Sequence, residues 1–333
     1  MAKGFIKNCW WWTRPVKITV IWLICAASFY SFFHMALRNS PRPTISEGSS
    51  ISNAEKRSIL YTKMEKDLDE NGAVFLKQGE TSQSLSLSDL FTLKDGTVTP
   101  VLRAANPPIR ANVLHLSSEY SVPISTKVLI EIPSWALHFF PLAEAVKNIL
   151  LPYFDKAIWF QNSSIYHFSM FHASHHISPV PATEAEVEAE ASAVKASAES
   201  MCPLSIALDR VVLTSTGVLL GCWQVVSGTD PVTIRAKLKT ALPRAPQKQL
   251  YDDTMLHTSF ARLLGPPKKF SEEENKFSGL QIFHELVNRV NNQIRGLKAM
   301  VSELWYVEEY DLLALALNGK MKIRKFQMRC SKP

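Results

Sequence analysis

The chain has 333 residues, 46% of them apolar, enough for one large domain or two modest ones with a real core. Its 12 glycines and 19 prolines exclude a collagen-like or wholly disordered chain. The formal charge is +7, but Lys3, Lys7, Arg14 and Lys17 place four positives within the first 17 residues and leave +3 for the rest, so the high pI says little about nucleic acid and no DNA partner is expected.

In chain order, residues 1–17 read as a basic cytosolic tail. Ile18 to Leu37 carries no Asp, Glu, Lys or Arg, and as a helix its 20 residues would cover roughly 30 Å, the hydrocarbon thickness of a bilayer. Trp10, Trp11 and Trp12 precede it as an interfacial belt would. The basic flank predicts a single-pass type II membrane protein of the secretory route, with residues 38–333 lumenal or extracellular. A cleaved signal peptide, cut near Ala26-Ala27-Ser28, is the alternative.

Residues 38–126 read as a stem with partial structure, polar and rich in Ser and Pro over 38–60. Within it SLSLSDLFTL and NVLHLSSEYSV look like short strands, and DGTVTP and NPP like turns. The folded domain is expected over 127–333. KVLIEIP predicts a strand to Pro133, and Ser134 caps a helix with Leu137, Phe140, Leu142, Val146, Ile149 and Leu150 on its apolar face. AIWF and IYHFSMF predict strands around the Asn162 loop. Thr183 with Glu186 forms a capping-box pattern for an acidic surface helix to Glu199.

LSIALDRVVLTS and VLLGCWQVV predict a hairpin turning at Thr216-Gly217, with Cys222 opposite Val211 and Cys202 beyond the strand end. A Cys202–Cys222 disulfide is therefore not expected, and Cys202, Cys222 and Cys330 read as ordinary buried or free thiols. PVTIRAKLKTAL predicts a helix and TMLHTSFARLL a strand. Leu280, Phe283, Val287, Val290, Ile294 and Leu297 define one face of a helix from Ser271 to about Lys298. A final hairpin is expected around Asn318-Gly319. Interleaved strands and helices with hairpins make the class α+β, with helices on the outer faces of antiparallel-rich sheets.

In a strand, residues i and i+2 share a face. His167 and Ser169 then stand together, as do His257 and Ser259. Such a pair suits a phosphodiester: one imidazole takes a proton from the attacking oxygen, the other donates to the leaving oxygen, and the hydroxyls bind the phosphate. Imidazoles titrate near neutrality, so no metal or cofactor is needed. His-x-Ser alone is weak evidence, since five of the nine histidines (His115, His167, His172, His176 and His257) have Ser two residues later. The motifs at 167 and 257 are set apart by their apolar strand contexts, by the matching order of elements around them, and by Arg262 after the second.

HFSM at 167–170 and HTSF-A-R at 257–262 resemble the two motifs of the two-histidine (2H) phosphoesterase superfamily, which includes LigT-like RNA ligases and cyclic nucleotide phosphodiesterases. The resemblance covers roughly 127–330. It implies a bilobal fold around a central groove, catalytic His167 and His257, phosphate-binding Ser169 and Ser259, and Arg262 either on the phosphate or bracing its strand. Ser replaces the commoner Thr in both motifs, and the helix after Arg262 looks like an addition that could reshape the groove.

The expected substrate is a small nucleotide or oligonucleotide phosphodiester. The alternative is an inactive membrane-anchored binding or scaffold protein on the same fold. The cluster His172, His175, His176 reads as a solvated loop past a strand rather than a metal site, and His115 as a decoy ahead of the first lobe strand. Tyr166, Trp159 and Phe260 read as core aromatics. Asn162-Ser163-Ser164 is a candidate glycosylation sequon.

Overall fold

The computed structural model describes residues 51–77, 79, 85–94, 97–117, 142–268 and 279–330. Its elements are α1 (Asn53–Asn71), α2 (Val74–Lys77), α3 (Leu87–Leu90), β1 (Phe91–Lys94), β2 (Thr97–Pro100) and β3 (Ala104–His115). They continue with α4 (Leu142–Phe154), β4 (Ile158–Phe160), a 3-10 turn (Ser163–Ile165), β5 (His167–Ser174), α5 (Glu184–Glu199), β6 (Leu204–Leu213) and β7 (Val218–Ser227). The chain closes with α6 (Pro231–Ala241), β8 (His257–Leu263), α7 (Gly279–Ile294), β9 (Lys298–Val301), β10 (Glu303–Asp311), α8 (Ala314–Leu317) and β11 (Met321–Gln327).

Among these residues the class is α+β, and every strand pairing is antiparallel. One sheet has four strands, in the order β11-β10-β3-β5; another has five, in the order β4-β8-β7-β6-β9; β1 and β2 form a small ribbon. One continuous apolar core runs beneath both larger sheets. It takes Leu114, Phe168, Met170 and Leu304 from the first, Leu208, Leu219, Phe260 and Ala261 from the second, and one face each of α4, α5, α6 and α7.

Local rules account for the element ends. Thr183 and Glu186 close a capping box on α5, as the sequence predicts, and Asp230 caps α6 with Pro231 behind it. Gly217 takes φ 83° in the β6–β7 turn, where an added Cβ would lie 2.8 Å from the Leu263 carbonyl oxygen, so both the conformation and the contact select glycine. Cys222 pairs with Arg210 rather than Val211, because the turn centres on Thr216 rather than between Thr216 and Gly217.

Four expectations are corrected. No helix among the described residues is long and apolar enough to cross a membrane, so the type II membrane assignment with a lumenal or extracellular domain is not retained. The segment behind it, 18–37, and the tail 1–17 lie outside the described residues. The boundary at 126/127 lies outside the described residues; β3, expected in the stem, sits between β10 and β5, and α1 shares one compact unit with the later elements. NPP lies inside β3 rather than in a turn, and Thr97–Pro100 of DGTVTP is a strand. Cys202 and Cys330 are not free thiols but a disulfide; Cys222 is free and buried. KVLIEIP, the start of the Ser134 helix and residues 269–278 fall outside the described residues.

The stem segment enters the core through α1. Ser52 caps it, and its buried face presents Arg57, Tyr61 and Leu68. The Tyr61 hydroxyl lies 2.9 Å from the carbonyls of Trp223 and Leu256 and accepts from the Leu256 amide at 3.1 Å, completing the ladder where β7 and β8 part. Arg57 donates to Asp230 at 2.9 Å and to Gln224 at 3.0 Å. Tyr61→Phe keeps the ring and orphans a buried amide, so it should lower unfolding stability by about 1–3 kcal/mol. A urea midpoint equal to that of the wild type would contradict this anchoring role.

Candidate functional site

In β5 the burial pattern follows the expected alternation. Tyr166, Phe168 and Met170 are buried in the main core, while His167 and Ser169 are half-buried on the opposite face. Pairing with β3 sets His167 opposite His115 and Ser169 opposite Val113. The register then shifts, so that Phe171 faces Asn112 and His172 faces Ala111. Ala111 and Val113 share one cluster, so the bulge turns His172 onto the face of His167 and Ser169. A regular strand would have put a residue three positions after Ser169 on the other side.

β8 repeats this arrangement. His257 pairs with Cys222 and Ser259 with Leu220; after a register shift Arg262 pairs with Val218. Val218, Leu220 and Cys222 belong to one face, whereas Phe260 and Ala261 both enter the main core. The extra residue at the bulge therefore restores Arg262 to the face of His257 and Ser259. Each strand, one from each sheet, thus presents an imidazole, a hydroxyl and a third basic nitrogen group on one face: His167, Ser169, His172 and His257, Ser259, Arg262.

Arg235 fixes the two strands relative to each other. Its buried guanidinium donates to the carbonyls of Ser169 (3.0 Å), Met170 (3.0 Å), Asp253 (2.7 Å) and Met255 (2.7 Å), joining β5 to the approach of β8. The 242–256 segment is pinned by Gln249, which accepts from the His172 amide at 2.7 Å and donates to its carbonyl at 3.1 Å. This sets the Tyr251 ring between two motif strands, 4.9 Å from the His257 ring and 6.4 Å from that of His172.

The cluster is poorly solvated, and burial lowers each of its basic groups. Burial pushes His257 down to about 3, with the Arg235 guanidinium and the His167 imidazole adding to the effect. Burial also lowers His167, and the carbonyl of Ile165, 2.9 Å from its Nδ1, works in the opposite direction. A carbonyl only accepts, so Nδ1 carries the hydrogen and the neutral ring leaves Nε2 as an acceptor. Arg262 is lowered to about 10 by burial, and neither its Nη1 nor the Nδ1 of His257 has a hydrogen-bond partner among the described residues. A buried guanidinium nitrogen without an acceptor is costly unless an anion is supplied.

His172 is held near 3, chiefly by burial and then by the neighbouring imidazoles of His175 and His176. A base whose folded pKa is depressed contributes stability that is complete above its ordinary value near 6.5 and is lost as pH falls toward 3. His172→Gln should therefore flatten the loss of stability between pH 7 and pH 4 by a few kcal/mol. Denaturant midpoints with the same pH slope in variant and wild type would contradict it.

The other sequence-predicted positions are accounted for individually. Asn162 is exposed; its side chain caps the 3-10 turn and its Nδ2 donates to Asn318. His172 lies in β5 rather than in a loop beyond it, and no group of three potential metal ligands occurs among the described residues. His115 is not ahead of the domain but beside the site: its ring stacks on Trp305 at 3.9 Å, and the Lys325 ammonium lies 4.7 Å from that indole. Trp159 donates to the Ala316 carbonyl. The acidic helix α5 is more than a solvated face, since Glu190 bonds Arg110 at 2.8 Å and also meets Arg244 and Tyr306.

Sequence reasoning missed Tyr251, Arg235 and the role of His172. The first two lie outside any periodic motif. The third carried a signal, because HFSMFH and HTSFAR both place a basic side chain three residues after the serine.

No family model and no curated protein matches the chain. Among solved structures, a conserved protein of unknown function from Agrobacterium tumefaciens is similar at 8% identity, with 77% of this chain and 92% of that chain covered and a TM-score of 0.39. A likeness at that level carries no argument about fold family or activity.

Proposed function

We propose that the protein is a metal-independent phosphodiesterase of the two-histidine type, built on the bilobal fold of that superfamily, acting on a cyclic phosphate or a 2′-5′ or 3′-5′ linked nucleotide. The observation that carries this reading is the matched pair of bulged strands, each presenting imidazole, hydroxyl and a third basic group on one face. The unpartnered nitrogen of Arg262 supports an anionic ligand.

In the proposed reaction the phosphate lies between the two motifs, with the Ser169 and Ser259 hydroxyls and Arg262 on its non-bridging oxygens. His257, held at about 3 by burial in the free protein, stays neutral and accepts a proton from water as the water oxygen bonds to phosphorus. His167, whose Nδ1–H is steadied by the Ile165 carbonyl, holds the proton that passes to the departing ester oxygen as its bond to phosphorus breaks. The phosphate's negative charge raises both imidazoles on binding, which makes the protonated form of His167 accessible near neutral pH. The products are a phosphomonoester and an alcohol; for a cyclic substrate both are on one molecule.

The test is hydrolysis by the full chain, with a metal chelator present, across 2′,3′-cyclic nucleotides, 3′,5′-cyclic nucleotides and dinucleotides of both linkages. Turnover of at least one is expected. Inactivity across the whole panel would overturn the reading.

A further inference from the structure

His115 pairs directly with His167 across β3 and β5, and residues paired in this way share a face with their Cβ atoms about 5 Å apart. The His115 ring is half-buried and stacks on Trp305 with 3.9 Å between ring centres, which holds its plane. Both of its nitrogens meet oxygen: Nε2 lies 3.2 Å from the Ser164 carbonyl, and Nδ1 lies 3.7 Å from Oε2 of Glu303. Glu303 is fixed in its turn by the Trp305 indole, which donates to Oε2 at 2.9 Å, and by Gln327, which donates to Oε1 at 2.7 Å. A neutral imidazole has one N–H and can serve one of these two acceptors; the imidazolium has two and can serve both. The surroundings of His115 therefore suit the charged ring.

We propose that His115 and Glu303 are positioning residues for His167: His115 takes the first proton offered to this pair of imidazoles, and its charge keeps His167 neutral until an anion lies beside it. This deepens the phosphodiesterase reading, on which its consequence for turnover rests. Like charges on neighbouring strands repel, so the two rings titrate as a coupled pair in which one leads. Burial lowers both. For His115 the Ser164 carbonyl and the Glu303 carboxylate oppose burial, and the Lys325 ammonium on β11 adds to it. For His167 the Ile165 carbonyl is the one opposing group among the described residues, and His115 itself adds to burial. The other imidazoles coupled to His167 are His172 on β5 and His257 on β8. His115, with two acceptors against one, leads. A phosphate in the site supplies the negative charge that lets His167 become protonated beside it, so the substrate arms its own acid.

The experiment is a pH titration of the histidine ring protons of the full chain without ligand, by nuclear magnetic resonance. The His115 midpoint is expected above that of His167. His115→Gln should raise the His167 midpoint by about 0.5 pH or more, the effect of removing one charge at this separation. Glu303→Gln leaves the His115–Trp305 stack in place and should lower the His115 midpoint, whereas Lys325→Met should raise it; a merely structural role would not give opposite signs. A His167 midpoint above that of His115 in the wild type, or one unmoved by His115→Gln, overturns the proposal. If His115→Gln does not fold, an unmoved or raised His115 midpoint in Glu303→Gln overturns it. With a turned-over phosphodiester, the alkaline limb of kcat/KM, which reports the acid of the free protein, should move upward with His167 in His115→Gln. Coupled midpoints in a protein that turns over no phosphodiester would support the pairing of the rings and overturn the phosphodiesterase reading alone.

Discussion

His257→Ala is expected to lower kcat for hydrolysis of the preferred phosphodiester by about 10²–10⁴-fold, and His167→Ala by a similar factor, because each removes one partner of a coupled proton transfer. The double variant should be little slower than either single one, since an acid without its base contributes little. His257 stands at the head of β8 with its ring against Tyr251, and alanine there leaves Leu256 and Phe260 in the core. The fold should therefore survive, which a far-ultraviolet spectrum of each variant can verify before rates are compared. Additive losses in the double variant would mean that the two imidazoles act in separate places. Ser169→Ala and Ser259→Ala leave both imidazoles in place and should cost less.

The second large effect concerns stability. The Cys202–Cys330 bond joins the segment after β11 to the segment between α5 and β6 across a separation of 128 residues. Cys330 also donates its amide to the Met201 carbonyl at 3.1 Å, so the bond fastens a segment that follows an edge strand, β11. Cross-linking across so long a loop restricts the unfolded chain strongly, and loss of such a bond typically costs about 2–5 kcal/mol. Cys330→Ser should lower the urea midpoint by a corresponding amount, and a reducing agent should lower the wild type to the same level. A difference below about 0.5 kcal/mol between oxidised and reduced protein would show that the bond constrains little.

Much of the architecture was legible because the elements obey short-range rules. The capping box at Thr183, the Thr216-Gly217 hairpin and the alternation around His167 each depend on residues within a few positions of one another. α1 was read as stem because its apolar content is low: it docks through Tyr61 and an ion-paired Arg57 whose partners lie more than 160 residues away. β3 was misplaced for a related reason, since prolines at 107 and 108 look like a turn until strands on both sides hold them.

The candidate site divides in the same way. His167, Ser169, His257 and Ser259 follow from strand period two. Arg262 and His172 follow only once a bulge is known, because period two sends a residue at +3 to the core. Tyr251 and Arg235 are placed by tertiary contacts, through Gln249 and four backbone carbonyls, and nothing local in their surroundings announces them.

The central claim is that two imidazoles from two sheets serve one phosphate. Its most direct test is a pH titration of the histidine ring protons by nuclear magnetic resonance, with and without a 3′-nucleotide monophosphate as product ligand. In the free protein the His257 resonance should report a neutral ring down to about 3, and His167 should titrate below the usual histidine value. With the ligand bound, both should move upward together, and Ser169→Ala combined with Ser259→Ala should abolish the joint shift. A shift confined to one ring, or none in either at saturating ligand, would contradict the account.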